Sequence, residues 1–207
     1  MTTDTPQIIE NEDGLLVLLK PSGWSTHDAG PESKPHVTEW LQEHGLSQYA
    51  AVHRLDKDTS GLLLLAASSR DRAALSQSFS EGDVHKEYLA LVHGKVRKKG
   101  VIRRPLQDGR RGKPLPAVTH YRLIEWLGKF SLIQVTIETG RKHQIRRHLH
   151  GIGHPVVGDR RYRRKGKQLP KPPMMLHAFA LALPDGRGWE ADIPARFQER
   201  LLELKSG

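Results

Sequence analysis

His53-Arg54-Leu55-Asp56-Lys57-Asp58-Thr59-Ser60-Gly61 gathers groups that can do chemistry and runs straight into the apolar Leu62-Leu63-Leu64-Leu65-Ala66-Ala67. Arg54 and Lys57 flank Asp56, and such a setting favours the ionised carboxylate, the form a nucleophile or base requires. The apolar run has strand length, so a strand buried on both faces and a short core helix both fit. Gly61 before it and Ser68-Ser69 after it favour the strand. The polar loop is then pinned at the edge of the core, where side chains can be held rigidly at a cleft. The plain alternative is an Asx or Ser/Thr turn, since Asp58, Thr59, Ser60 and Gly61 all form turns.

Two further stretches carry reactive groups. Tyr88 stands in Lys86-Glu87-Tyr88-Leu89-Ala90, where a half-buried strand tyrosine is the ordinary reading. Thr139-Gly140-Arg141-Lys142-His143-Gln144-Ile145-Arg146-Arg147-His148 reads either as a basic solvated helix face or as an anion site, because Arg and Lys at a helix start oppose the macrodipole. A metal centre fits poorly: of His143, His148 and His150 only the first and last share a helical face, two turns and about 10 Å apart.

Around these residues the pattern predicts a strand over 14–19, stopped by Lys20-Pro21-Ser22-Gly23. Val37, Trp40, Leu41 and His44 share one face of a short helix. Ser68-x-x-Asp71 caps a second helix, which buries Ala74, Leu75, Ser78 and Phe79. Residues 85–93 alternate as a strand, 95–116 form a basic excursion, and 117–126 with 130–138 form a hairpin. A helix over 141–150 turns Ile145 and Leu149 inward. A basic loop over 160–168, a strand over 174–183 and a helix opened by Pro194 complete the chain, the last with Phe197, Leu201 and Leu204 inward. The expected fold is α+β, a bipartite, largely antiparallel mixed sheet flanked by helices and loops, with a central catalytic cleft. Residues 1–12 are expected to fray and 13–207 to form one domain.

The chain has 33 Lys and Arg against 23 Asp and Glu, a net charge of +10, which favours a polyanionic partner, nucleic acid ahead of a membrane. With no cysteine, disulfides, thiol catalysis and Cys-type zinc sites are excluded. No signal peptide is visible, and the longest apolar run falls far short of the roughly 20 residues that span a bilayer. The expectation is a cytoplasmic monomer without membrane contact. Gly112-Lys113 is no P-loop, because Gln107 and Pro114 stand where Gly and Ser or Thr are required.

HRLDKDTSG followed by an apolar strand resembles the catalytic motif of the RluA-type pseudouridine synthases. KEYLALVHG and GRKHQIRRHL are similar to two further motifs of that family. Lys20-Pro-Ser-Gly-Trp, Gly158-Asp159 and Leu176-His177-Ala178 match other positions, so the resemblance spans about residues 14–194. It implies that Asp56 is the catalytic carboxylate, that Arg146 pairs with it, and that Tyr88 covers the target base and is a candidate to take the proton from C5. It also implies that Arg54 enters the RNA stack vacated by the target nucleotide. No cofactor or metal signature is visible and none is expected, nor is the extra N-terminal RNA-binding domain that some relatives carry, for which the chain leaves no room. Pro116-Ala-Val-Thr-His-Tyr-Arg and GRKHQIRRHL resemble the branch that modifies tRNA; the partner is a structured RNA, tRNA or rRNA. Its contacts are expected from Arg54, His53, Arg141, Lys142 and Arg147 at the site, and from Arg103, Arg104, Arg110, Arg111, Arg163 and Arg164 in the basic loops, which otherwise only solubilise. Arg163-Arg164 departs from the family, where glycine is common. A non-catalytic RNA-binding or ribosome-assembly factor, and a metal-dependent nuclease using Asp56 and Asp58, are the competing readings.

Overall fold

The apolar run after Asp56 is a strand, and every residue from Ser60 to Ala66 is buried. The computed structural model describes residues 5–28, 30, 34–107, 112–162 and 173–206. In chain order these form β1 (Gln7–Glu12), β2 (Leu15–Lys20), α1 (Val37–Glu43), β3 (Ala50–Ala51), β4 (Ser60–Ala66), α2 (Ser69–Glu81), β5 (His85–His93), β6 (Lys99–Ile102), β7 (Leu106–Gln107) and β8 (Pro114–Leu115). They continue with β9 (Thr119–Leu127), β10 (Phe130–Ile137), α3 (Gln144–Gly151), β11 (Leu176–Ala182), β12 (Gly188–Glu190) and α4 (Ala195–Ser206).

One sheet runs β1-β2-β4-β11-β5-β10-β9-β6, with β3 on β4 and β12 on β11. Among its described strand pairs only β4–β11 is parallel, so the α+β, largely antiparallel expectation holds and the exception marks a seam. On one side of that seam Leu62 and Leu64 pack with Leu15 and Val17, while Leu63 and Leu65 pack on the opposite face with Leu16, Leu18, Trp40 and Leu41. On the other side, Ile133, Val135 and Ala90 carry Ile145 and Leu149 of α3. The far face of the same strands, Leu89, Leu91 and Leu132, carries Phe197 of α4. A strand buried on both faces must be apolar throughout, which is why β4 shows no alternation.

Gly61 makes the seam possible. It sits at φ 122°, and a Cβ there would overlap the Ala178 backbone of β11. Gly61→Ala is therefore expected to cost roughly 3 kcal/mol or more, from overpacking and an unfavourable φ together. Equilibrium urea unfolding measures this, and a loss under about 1 kcal/mol would show that the seam can open freely.

Several expectations need correction. Residues 7–12 do not fray: β1 pairs with β2 through backbone bonds, and Trp189 Nε1 donates to Glu10 at 2.9 Å. The excursion over 95–116 contains β6, which extends the sheet beyond β9, and the small β7–β8 ladder. No residue of α2 is fully buried; Ala74 is exposed and only Leu75 and Phe79 press on the core. Finally, α3 begins at Gln144 and not at Arg141. Of the basic loop 160–168, the part from 163 onward lies outside the described residues, as do Arg110 and Arg111.

Candidate active site

Asp56 leaves the core just before β4 and meets α3 across the seam. Its Oδ2 accepts a hydrogen bond from Arg146 Nη1 at 2.8 Å. The two residues line one cleft of about 330 Å³ together with Arg54, Thr59, Tyr88, Arg141, Lys142 and His143.

Three devices hold the Asp56 loop. Thr26 uses one buried hydroxyl twice, donating to the Leu55 carbonyl and accepting from the Leu55 N–H. Gly23 N–H and Ser22 Oγ bond the Lys57 and Asp58 carbonyls. Beneath them, fully buried Lys20 donates Nζ to the carbonyls of Pro21, Trp24 and Lys57 at 3.0, 2.8 and 3.2 Å. Burial drives the Lys20 ammonium down to about 7, against the pull of Asp56 and Asp58. The Lys-Pro-Ser-Gly turn is thus fastened to the Asp56 loop by a buried amine that serves backbone oxygens. Lys20→Met leaves those buried acceptors short of a donor and is expected to destabilise the fold by roughly 2–3 kcal/mol. Chemical denaturation checks it.

Arg146 is gripped from its other edge by Asp159, to which the sequence pattern assigns no role. Nε and Nη2 bond the two Asp159 oxygens at 2.7 and 3.0 Å, and the Asp159 side chain is wholly buried. Asp159 Oδ1 also accepts the backbone N–H groups of Arg161 and Tyr162. Burial works against both charges. It would raise the Asp159 carboxyl, but the Arg146 bonds and those N–H groups hold it below the usual carboxylate range. It would lower the Arg146 pKa, but Asp159 and Asp56 hold the guanidinium above its ordinary value. The Tyr162 ring closes over the guanidinium, its centre 5.3 Å from Cζ. A buried carboxylate so paired makes Arg146 a fixed cation that turns its Nη1 edge to Asp56.

Tyr88 comes from β5 and enters the cleft beside Ile137 and Leu176. Burial, and then the nearby Asp56 charge, push its phenol well above the usual range, so it stays protonated. A phenol in that state donates a hydrogen bond or packs against a ring; it is a poor base.

The start of α3 is fixed by buried Gln144. Its Oε1 accepts from Thr139 Oγ1 and Arg141 N–H, and its Nε2 donates to the Val118 carbonyl at 2.9 Å. His143 precedes it in the left-handed region at φ 54° and places Nε2 3.7 Å from Asp56 Oδ1. The expected helix-start charges, Arg141 and Lys142, therefore belong to a turn at the cleft mouth.

The expected RNA-contacting residues separate. Arg54, Arg141 and Lys142 line the cleft. Arg147 lies on α3 and donates to the Gln107 carbonyl at 3.1 Å; Arg103 and Arg104 are exposed, and His148 Nε2 meets the Arg104 carbonyl. His53 is a correction. Its Nε2 accepts the Leu64 N–H at 3.0 Å, its ring stacks on Phe79 at 4.3 Å, and burial followed by the Lys86 charge pushes it down to about 3. It does not line the cleft and fastens β4 to α2. Arg110, Arg111, Arg163 and Arg164 lie outside the described residues. Asp58 does not line the cleft. Both nitrogens of His148 are engaged, by Thr119 and the Arg104 carbonyl, and no cluster of three potential metal ligands occurs among the described residues.

A family model described as RNA pseudouridylate synthase matches residues 14–151. Ribosomal large subunit pseudouridine synthase D of Nitrosomonas europaea is 35% identical over 91% of this chain and 62% of its own length. The tRNA pseudouridine synthase C of Pectobacterium carotovorum is 36% identical over 74% of this chain and 47% of its own. The chain thus spans about half to two thirds of the length of these curated relatives. Among solved structures, human RNA pseudouridylate synthase domain containing 4 superposes with a TM-score of 0.78 at 25% identity, covering 96% of this chain and 92% of that one. Human RNA pseudouridylate synthase domain containing 1 gives 0.75, also at 25% identity, over 99% and 96%.

Proposed function

The chain belongs to the RNA pseudouridylate synthase family, and from that premise we propose that it isomerises a specific uridine of a folded RNA, tRNA or rRNA, to pseudouridine, with Asp56 as the reacting carboxylate. The observation that carries this reading is the Asp56–Arg146 pair at 2.8 Å, standing at a cleft that Tyr88 also lines.

In such a reaction the C1′–N1 bond breaks, the uracil turns, C5 bonds to C1′, and the C5 proton leaves as N1 gains one. Nothing is added overall. Bond cleavage at an anomeric carbon develops positive charge, which an ionised carboxylate stabilises. The two routes open to Asp56, attack at C1′ and removal of the 2′ proton, both need a carboxylate with one oxygen free. Arg146 supplies the counter-charge and holds the other oxygen in place. The neutral Tyr88 phenol suits covering the flipped uracil better than removing its proton. Arg54, exposed beside the cleft, suits filling the vacated stack, since a planar guanidinium offsets part of the few kcal/mol that base flipping costs.

Unmodified transcripts of tRNA and of rRNA fragments, incubated with the protein without added metal or cofactor, are expected to gain pseudouridine at one or a few positions. Mapping modified sites reads the result. Binding without conversion would favour the RNA-binding factor, and metal-dependent strand breaks the nuclease. The basic face has its own test. Replacing Arg97, Lys98, Lys99, Arg103 and Arg104 by Gln should flatten the salt dependence of RNA binding by about 0.7–0.9 in log–log slope for each phosphate no longer neutralised. An unchanged slope would leave those charges a solubilising role only.

A further inference from the structure

The two oxygens of Asp56 have different surroundings. Arg146 occupies Oδ2 at 2.8 Å. Oδ1 has as its ionisable neighbour His143 Nε2, 3.7 Å away, about half an ångström beyond hydrogen-bonding range. The imidazole is aimed by an unusual backbone. His143 holds φ 54°, a region that non-glycine residues occupy rarely and chiefly where the surrounding structure enforces it. Here Gln144 enforces it by bonding Thr139, Arg141 and Val118 around the turn. On its far side the imidazole meets Tyr162, whose Oη lies 3.1 Å from Nδ1. Tyr162 is itself fixed, by its backbone bond to Asp159 and by its ring against the Arg146 guanidinium. A phenol that donates to Nδ1 leaves the ring proton on Nε2, the nitrogen that faces Asp56.

We propose that His143 is a positioning residue for Asp56: with its tautomer set by Tyr162, it presents Nε2–H to Oδ1, closes on that oxygen when the ribose enters, and so makes Oδ1 the reacting oxygen. The inference rests on the reading that Asp56 acts on uridine. A neutral donor suits the task, because it orients a lone pair without adding a second full positive charge that would quench the carboxylate. The groups facing the imidazole are Asp56, Arg146, Lys142, Arg161 and Tyr162. Burial lowers its pKa first; Asp56 opposes this, while Arg146, Arg161 and Lys142 reinforce it. The imidazole is accordingly neutral at pH 7, and protonating it in acid costs activity.

Three variants separate the imidazole from its backbone. His143→Asn keeps a residue type tolerant of the left-handed region but is too short to reach Oδ1. His143→Gln restores a donor of similar reach. Tyr162→Phe removes only the hydroxyl. The measurements are the single-turnover rate and Kd for a transcript that the wild-type protein modifies. The Asn variant is expected to lose roughly tenfold or more in rate, the scale on which orienting partners act, with Kd within twofold and an unchanged melting temperature. The Gln variant should recover most of the rate and lose the acid limb that His143 protonation gives the wild type. Nitrogen NMR of the imidazole in the RNA-free protein should show the Nε2–H form in the wild type and a mixture in Tyr162→Phe. That readout needs no turnover, so it stands even if no transcript is converted, an outcome that would overturn the proposed activity instead. A wild-type rate in the Asn variant, a loss confined to Kd, or an Nδ1–H tautomer would each overturn the role of His143.

Discussion

Asp56→Asn is expected to abolish pseudouridine formation, by on the order of ten-thousand-fold or more, while RNA affinity stays within a few fold and the melting temperature is nearly unchanged. The first part follows from chemistry, since an amide can neither attack C1′ nor take the 2′ proton. The second follows from how Arg146 is held. Were Asp56 its sole partner, removing the charge would strand a buried cation, and inactivity would be confounded with misfolding. Arg146 instead keeps both bonds to Asp159, at 2.7 and 3.0 Å, and the carbonyl oxygen of the introduced amide can still accept from Nη1. Asp56 is also partly open to solvent, at 22% of its side-chain area, against 7% for Arg146 and none for Asp159. Its substitution therefore falls on function and spares the core. Single-turnover assays beside thermal melts decide the matter, and measurable turnover by the Asp56→Asn variant would remove Asp56 from the chemistry.

What was legible in the sequence divides along physical lines. β4 could be read because its apolar run is bounded by glycine and serines, and because burial on both faces leaves no polar position. α3 is evident from Ile145 and Leu149, yet the pattern starts it three residues early, since a left-handed His143 carries none of the glycine or asparagine signature that marks such turns. β1 is hidden because Gln-Ile-Ile-Glu-Asn-Glu has no alternation; it is held by backbone pairing at a sheet edge, which composition does not encode. His53 groups with the RNA contacts because it adjoins Arg54, although neighbours in an extended loop can point to opposite sides, and it bonds β4 instead. The meeting of Asp56 with Arg146, 90 residues apart, was available only through family resemblance. Asp159 is masked because an acid beside Arg160 and Arg161 reads as solvated charge balance. Its match to a later family motif was the available signal.

Arg146→Met should cost activity and stability together, with the stability loss traceable to Asp159. Among the described residues, the substitution leaves a wholly buried carboxylate with only the N–H groups of Arg161 and Tyr162 as partners. Breaking one side of such a pair costs roughly 3–5 kcal/mol, and for a chain of this size the melting temperature should fall by roughly 6–20 °C. The pH dependence has a definite sign. In the wild type the Asp159 carboxyl is held below its ordinary value, so its contribution is complete above the unfolded-state pKa and disappears as pH falls through the folded one. In the variant burial dominates and raises that carboxyl, so stability declines as pH rises and Asp159 ionises. The gap between the two proteins should therefore be widest near pH 7 and narrow below about pH 4, where the carboxyl is protonated in the unfolded chain as well. Arg146→Met combined with Asp159→Asn keeps an oxygen for the two backbone N–H groups and removes the stranded charge. It should recover much of the lost stability and none of the activity, because Asp56 still lacks its cation. A double variant as unstable as Arg146→Met alone would mean that the guanidinium supports the fold through its packing under Tyr162, and not by neutralising Asp159.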